Sequence, residues 1–180
     1  LSDGNYAFTS PSWDGGLGAV TWAGGAASTV GTVTATNSIV GGAPGANVGG
    51  VLFAGDPGVR ALTGGAYLVL SPRWDGPGGE LEAGAVTLGR SGGSSGVVGA
   101  DNSVVGTLAG SHVGDPLPAE DLVNHQVVVP IPAENRVVLV STHRQVQPVT
   151  PARLLETRPG MEPGTVDDLF EGGGTLGAGG

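Results

Sequence analysis

Three observations predict an all-β protein built from tandem repeats. The 180 residues include 36 glycines and 13 prolines, yet 39% are hydrophobic and only 13% are charged, which is too apolar for a solvated coil. The chain is rich in valine, alanine and threonine, and no window carries apolar residues at the helical period. Several short motifs return in the same order later in the chain. The glycines are therefore expected to form turns between many short strands.

The first repeated motif opens the sequence. "LSDGNYAFTSPSWDG" at positions 1–15 returns as "LTGGAYLVLSPRWDG" at 62–76. Three more motifs follow in order: "GAVT" at 18–21 and 84–87, "TNSIVGG" at 36–42 answered by "DNSVVGT" at 101–107, and "NVGG" at 47–50 answered by "HVGD" at 112–115. Four blocks in one order establish a duplication.

Each repeat is expected to contain about four strands, the content of a β-propeller blade. In the second repeat the candidates are Val51–Ala54 or Val59–Leu62, then Tyr67–Leu70, Ala83–Leu88 and Gly96–Ala100, each bounded by turn residues. We predict four-stranded repeats of about 60 residues in a β-propeller-like array, with an incomplete ring. The alternative is a β-solenoid with coils of about 20 residues, which the lack of similarity inside each repeat disfavours.

The repeats divide the chain into four segments. Residues 1–50 form repeat 1, which lacks its N-terminal part, and 51–115 form repeat 2. Residues 116–149 are either a degenerate third repeat or a connecting hairpin. Residues 150–180 are expected to be a linker and the start of a truncated C-terminal module. Because the sequence opens inside a repeat, we expect it to be a segment of a longer protein.

The repeated blocks resemble a known bacterial family. "GNYAFTSPSWDG" and "GGAYLVLSPRWDG", then "GAVTW" or "GAVTL" and "NSIVG" or "NSVVG", are similar over Leu1–Asp115 to a tandem repeat of uncharacterised function in large secreted or surface proteins, some of them haemagglutinin-like. More distantly they resemble the FG-GAP repeats of integrin-type propellers, although the Asp-rich calcium loop of those repeats is missing. The resemblance implies a non-enzymatic structural, adhesion or display role at the cell surface or outside the cell.

The tail carries a second resemblance. "VTPARLLETRPG" at 149–160 is similar to a Pro-Ala-Arg-Leu-Leu-Asp-Thr-Arg segment of secreted actinobacterial proteins, with Glu156 in place of the usual aspartate. This likeness implies an actinobacterial and extracellular setting.

The recurring Trp-Asp-Gly loops are the candidate binding site. Trp13 with Asp14 and Trp74 with Asp75 each place an aromatic ring beside a carboxylate, an arrangement that can bind a carbohydrate or a metal ion. The alternative is structural: the ring packs against a neighbouring sheet, and the aspartate closes a turn into the following glycine. Recurrence at a fixed position in each repeat favours the structural interpretation.

Other shared polar residues are expected to be structural. Tyr6 and Tyr67 are predicted to be buried, with the hydroxyl bonded to a partner. The pairs Asn37–Ser38 and Asn102–Ser103 are predicted to end a strand through a turn between side chain and backbone.

Composition and spacing argue against several classes of function. The chain has no lysine and a net charge of -9, which disfavours nucleic-acid partners and anionic membranes. No apolar run reaches the roughly 18 residues that span a bilayer. Without cysteine there is no thiol chemistry, and His112, His125 and His143 lack the spacing of a zinc motif. Glu80 and Glu82 belong to a loop insertion. We therefore expect no enzyme, cofactor or metal, and consider a surface glycan or protein as the partner.

Overall fold

The computed structural model describes residues 1–26, 31–50 and 58–142. The predictions for Val51–Ala54, His143 and the tail at 149–180 lie outside these residues. Within the described ranges the chain is mostly β, and its eleven strands form three open sheets. The all-β prediction is confirmed. None of the helices in the described residues has the length and apolarity needed to cross a membrane.

Sheet 1 is formed mainly by repeat 1. Its strands are β1 (Tyr6–Ser10), β2 (Ala19–Ala23), β3 (Ser38–Val40) and β7 (Gly96–Val97). The first three are antiparallel neighbours, and β7 pairs with β3 in the parallel sense. Since β7 belongs to repeat 2, the second repeat completes the sheet of the first.

Sheet 2 is formed by repeat 2. Its strands, in spatial order, are β4 (Val59–Ala61), β5 (Tyr67–Ser71), β6 (Ala85–Gly89) and β8 (Ser103–Val105). All neighbours are antiparallel. The strands β5, β6 and β8 occupy the repeated motifs that β1, β2 and β3 occupy in repeat 1, so the sequence duplication is also a structural one.

Sheet 3 follows repeat 2 and has three strands. They are β9 (Ala119–Asp121), β10 (Gln126–Ile131) and β11 (Arg136–Ser141). A single helical turn, Pro132–Glu134, and the left-handed Asn135 connect β10 to β11. Like β5 in sheet 2, β10 is flanked by the strand that precedes it in the sequence on one side and by the strand that follows it on the other.

The three sheets stack in one direction, with sheet 2 in the middle. We call the face of sheet 2 that bears Tyr67 and Val69 its leading face, and the opposite face, with Leu68 and Leu70, its trailing face. The leading face packs against Val20 and other apolar side chains of sheet 1. The trailing face packs against a buried row of sheet 3: Val127, Val129 and Ile131. All five residues of β5 are therefore buried.

The same names apply to the outer sheets. Tyr6 and Phe8 lie on the leading face of sheet 1, because Tyr6 occupies the position of Tyr67 and residues two apart in a strand share a face. Val137 and Leu139 lie on the trailing face of sheet 3, since their cross-strand partners alternate with the buried row of β10. In each contact, a trailing face meets the leading face of the next sheet.

Glycine is required where two segments of a repeat touch. Gly18 and Gly84 have φ of +75° and +80° and form parallel bridges with Val48 and Val113. A Cβ at Gly84 would lie 2.1 Å from the Val113 nitrogen, and one at Gly18 would lie 2.3 Å from the Val48 nitrogen. Both the backbone conformation and the space exclude a side chain.

Two strand predictions differ from the structure. The segment Gly96–Ala100 forms only the two residues of β7, and they pair with sheet 1 instead of with their own repeat. The Asn-Ser pairs begin strands and do not end them, since β3 starts at Ser38 and β8 at Ser103. The reason is the asparagine turn: Asn102 Oδ1 accepts a hydrogen bond from the Gly99 N–H, so the turn precedes the strand.

Candidate functional site

The first Trp-Asp-Gly loop forms a short irregular turn. The segment Trp13–Gly16 contains two left-handed residues, Asp14 with φ of 47° and Gly15 with φ of 70°, so it is not a regular helix. Trp13 is partly buried and Asp14 is exposed. This loop leaves its carboxylate facing solvent.

The second loop places its residues differently. Trp74 is 5% exposed and belongs to the core that contains Tyr67. Asp75 is partly buried, and its Oδ1 accepts a hydrogen bond of 2.8 Å from the Glu82 N–H. The aspartate thus spans the inserted loop instead of closing a turn into Gly76. The Trp74 ring is not accessible to a ligand, whereas Asp75 still reaches a surface cleft.

The two loops face each other across a cleft of about 780 Å³. It is lined by Pro11, Ser12, Gly15, Gly16, Gly45, Asn47, Arg73, Asp75, Leu81 and Glu82. Neither tryptophan is among these residues, so the cleft offers charged groups and backbone but no stacking platform. Of the four residues predicted as a site, only Asp75 lines it.

His112 stands beside this cleft at the position that Asn47 occupies in repeat 1. Both residues are left-handed, with φ of 46° and 47°. The His112 Nδ1 lies 3.3 Å from the Pro72 carbonyl oxygen, and its Nε2 lies 3.9 Å from Glu82 Oε2. The histidine therefore holds the loop of repeat 2 in place through its ring.

Metal binding has no cluster to support it in the part of the chain that the structure describes. No three His, Asp or Glu side chains there come close enough to hold an ion. His125 is an exposed, left-handed residue before β10. Glu80 binds the Gly78 N–H of its own loop through Oε2, at 3.0 Å.

Sequence reasoning missed Glu134, a carboxylate that accepts four hydrogen bonds. Its side chain is 6% exposed. Oε1 accepts hydrogen bonds from the Thr107 N–H at 2.5 Å and the Ser111 hydroxyl at 2.8 Å. Oε2 accepts two from Arg136, at 3.0 and 2.6 Å. We call this set the Glu134 clamp. It fastens the hairpin of sheet 3 to the loop after β8.

The Glu134 clamp also determines the charge state of its carboxyl group. Burial alone would raise the pKa of Glu134, but the hydrogen bonds from Thr107, Ser111 and Arg136 favour the ionised form and lower the pKa to about 2. The signal in the sequence was a glutamate two residues before an arginine in a hairpin turn, "PAENR". Its partners Thr107 and Ser111 are 27 and 23 residues away, beyond what local spacing reveals.

The fold and the loops define a class of protein: a stack of duplicated β-repeats whose shared residues build the repeat itself. A family model described as a repeat of unknown function (DUF5650) matches residues 1–50 and 61–115. The chain belongs to this repeat family. No curated protein and no solved structure matches the chain.

Proposed function

We propose that the chain is a non-enzymatic structural segment of a secreted or cell-surface bacterial protein, where its stacked repeats serve adhesion or display. One observation carries this proposal: the polar residues that the two repeats share make the same internal hydrogen bonds in both. Thr21 bonds Ser38 at 2.8 Å, and Thr87 bonds Ser103 at 2.7 Å. Residues used in this way build a framework.

The asparagines of the shared motif have the same use. Asn37 Oδ1 accepts from the Thr34 N–H and its Nδ2 donates to the Thr32 carbonyl. Asn102 makes the equivalent bonds to Gly99 and Val97. By contrast, the residues around the cleft differ between repeats, as Asn47 and His112 do. What is duplicated is the hydrogen-bond framework, and this favours a structural role over a duplicated binding site.

The arrangement supports a propeller-like array over a β-solenoid. The strands β1, β2 and β3 of sheet 1 and all four strands of sheet 2 pair in the antiparallel sense, as in a propeller blade. A parallel β-helix would require parallel pairing between successive coils, and the pairing of β3 with β7 is the only strand pair of that kind in the described ranges. The face-to-face stacking of sheets is also what successive blades require.

The location can be tested on intact cells of the source organism. Brief protease treatment is expected to release peptides from residues 1–142 while a cytoplasmic marker stays inside the cells. Recovery of these peptides only after lysis would contradict the surface role. Substrate turnover that disappears on substitution of a described residue would contradict the non-enzymatic assignment.

A second candidate is carbohydrate binding at the cleft between the Trp-Asp-Gly loops. The observation that favours it is the grouping of Arg73, Asp75 and Glu82 in one cleft. On a glycan array, Asp75→Asn is expected to abolish binding, because it removes the charge while keeping an oxygen for the Glu82 N–H. Asp101→Asn, an exposed acid outside the cleft, is the matched control. Absence of binding by the unaltered chain would rule this candidate out.

A further inference from the structure

The two repeats meet the next unit of the stack through the same strand edge but with different groups. We call the outer edges of β3 and β8, where Val40 and Val105 lie, the exit edges of repeats 1 and 2. At the first exit edge, the Val98 N–H of the following repeat donates to the Val40 carbonyl at 2.9 Å. Val105 occupies the position of Val40 in repeat 2, and its carbonyl accepts from Arg136 Nη2 of sheet 3 at 3.0 Å. Equivalent carbonyls are therefore bonded by backbone in one repeat and by a side chain in the other.

A second pair of equivalent positions shows the same difference. A Cβ at Gly42 would lie 2.8 Å from Cγ1 of the β7 residue Val97. The equivalent residue in repeat 2 is Thr107, which has such a Cβ, and its N–H donates to Glu134 Oε1 at 2.5 Å. Thr107 therefore offers a backbone N–H to the next unit but takes up space that Gly42 leaves for a valine.

The third position adds a hydrogen-bond donor to the exit edge of repeat 2. Ala46, which is buried in the core beside repeat 1, is replaced by Ser111, whose hydroxyl donates to Glu134 Oε1 at 2.8 Å. This exit edge thus presents two donors that suit a carboxylate and one carbonyl that suits a guanidinium. Sheet 3 supplies both groups from three consecutive residues of its hairpin, "ENR" at 134–136.

The outer face of sheet 3 differs from the face that sheet 2 turns towards it. On that face of sheet 2, the residues of β5 and β6 are apolar and at least partly buried. On the outer face of sheet 3, Val137 and Leu139 are exposed, but a polar row crosses the three strands, since Asp121, Gln126 and Ser141 are cross-strand partners. A further sheet stacked there would take this row out of water and bury a carboxylate, which is unfavourable.

We propose that sheet 3 is the cap of the stack, held by an exit edge that binds the Glu134–Arg136 hairpin, and that no further repeat of this family docks behind it. Arrays of stacked repeats need such terminal units, because an uncapped end exposes apolar surface and a strand edge. This proposal rests on the stacked-repeat part of the proposed function and not on the location of the protein.

The first test lengthens the whole chain by one repeat in two places. One extra copy of residues 51–115 is inserted after position 115, ahead of the cap, with Thr107→Gly and Ser111→Ala in the copy that now precedes another repeat. The matched control carries the same extra copy after position 142, behind the cap. Urea unfolding followed by circular dichroism gives the midpoint and the m-value, which reports the surface exposed in one cooperative transition.

Ahead of the cap, the extra repeat is expected to join the stack, so that the chain unfolds in one transition with a larger m-value and a higher midpoint than the unaltered chain. Behind the cap, the extra repeat is expected to leave both values of the main transition unchanged. An extra repeat behind the cap that raises both values as much as one ahead of it would overturn the proposal. An extra repeat ahead of the cap that changes neither value would also overturn it.

The second test needs no extra repeat. Gly42→Thr gives the exit edge of repeat 1 the residue of repeat 2, and it is expected to displace Val97 and to release the Val98 N–H from the Val40 carbonyl. Hydrogen exchange of the Val98 amide, measured by NMR, is expected to become at least about tenfold faster. Ala43→Thr changes the neighbouring exposed residue, and this matched control is expected to leave the exchange rate unchanged.

Unchanged exchange at Val98 in Gly42→Thr would show that a threonine at this position admits the strand of a further repeat, and it would overturn the distinction between the two exit edges. Neither test depends on where the protein is located, and the protease measurement on intact cells does not depend on the cap. A failure of this proposal and a failure of the proposed function are therefore distinguishable.

Discussion

Tyr67 is a residue whose two ends have opposite effects on stability. Its ring lies in the core between sheets 1 and 2, where Gly89 leaves room for it. Its hydroxyl is buried and makes no well-formed hydrogen bond to the described residues, although the Ser94 backbone lies near it. Burial also raises the pKa of this hydroxyl. The sequence predicted burial for Tyr67 correctly, but it predicted burial for Tyr6 too, and that ring is 50% exposed. Local spacing does not show what lies opposite a strand.

Removing that hydroxyl is expected to stabilise the protein. In Tyr67→Phe the ring stays, while a buried donor without a partner is lost, so the free energy of unfolding is expected to rise by about 1 kcal/mol. Denaturant unfolding followed by tryptophan fluorescence measures the change. Tyr6→Phe is the matched control at the equivalent, half-exposed position and is expected to have no measurable effect. A loss of stability in Tyr67→Phe would contradict this account.

At the scale of the elements, each repeat depends on the close approach of its two halves. Gly84 begins the segment that leads into β6, and it touches the backbone of Val113 at the end of the repeat. The Val113 N–H donates to the Ala83 carbonyl at 3.0 Å. The same geometry occurs at Gly18 and Val48. This contact closes the repeat, and a Cβ would open it.

Gly84→Ala is expected to lower the free energy of unfolding by more than about 3 kcal/mol, since backbone strain of about 1–2 kcal/mol adds to a clash with backbone atoms. Gly92→Ala has a similar φ of +90° but open space around the new Cβ, so it measures the strain alone. Equal losses in the two variants would show that the contact with Val113 contributes nothing. Chemical denaturation at neutral pH gives both values.

The sequence predicts the strands whose own residues show an apolar run bounded by turns, and it misses the short strands that are defined only by pairing with their neighbours. β5 and β6 are long, apolar and bounded by turns, and they lie where they were expected. β3 and β8 have three residues each, too short for a period to show. The structural interpretation of the Trp-Asp-Gly loops packed both rings against a neighbouring sheet, which agrees with the burial of Trp74 but did not predict the partial exposure of Trp13. That difference follows from position in the stack, which two nearly identical motifs cannot encode.

At the scale of the whole molecule, sheet 3 is attached to repeat 2 by an apolar core and by the Glu134 clamp. The Glu134 carboxylate is buried and both its oxygens are bonded, so breaking the clamp leaves polar groups without partners. Arg136 adds a hydrogen bond of 3.0 Å to the Val105 carbonyl, at the edge of sheet 2. The polar part of this attachment therefore depends on one carboxylate remaining ionised, while the apolar core supplies the rest.

Acid is expected to weaken this attachment over a defined range. The pKa of Glu134 falls from an ordinary value of 4.5 to about 2 on folding, so its contribution is complete above pH 4.5 and is lost as the pH falls towards 2. Because Arg136 and Thr107 are partly exposed and solvent screens the interaction, the contribution is on the order of 1 kcal/mol. Glu134→Gln is expected to lose a comparable amount at pH 7 and to show a shallower decline between pH 4.5 and 2.

Thermal unfolding across this pH range provides the measurement. Asp101→Asn removes one negative charge at an exposed position and controls for the change in net charge. If Glu134→Gln is as stable as the unaltered chain at pH 7, the Glu134 clamp does not fasten the third sheet.

The strand β7 has a consequence for how such a chain can be divided. It lies between β6 and β8 in the sequence, yet its two residues complete the edge of sheet 1 beside Ile39 and Val40. The boundaries of the sequence repeat therefore differ from those of the sheet, because one strand of repeat 2 belongs to the sheet of repeat 1. A truncated chain ending at Gly50 would contain all four shared motifs of repeat 1 but an incomplete sheet, so each repeat depends on its neighbour to complete its sheet.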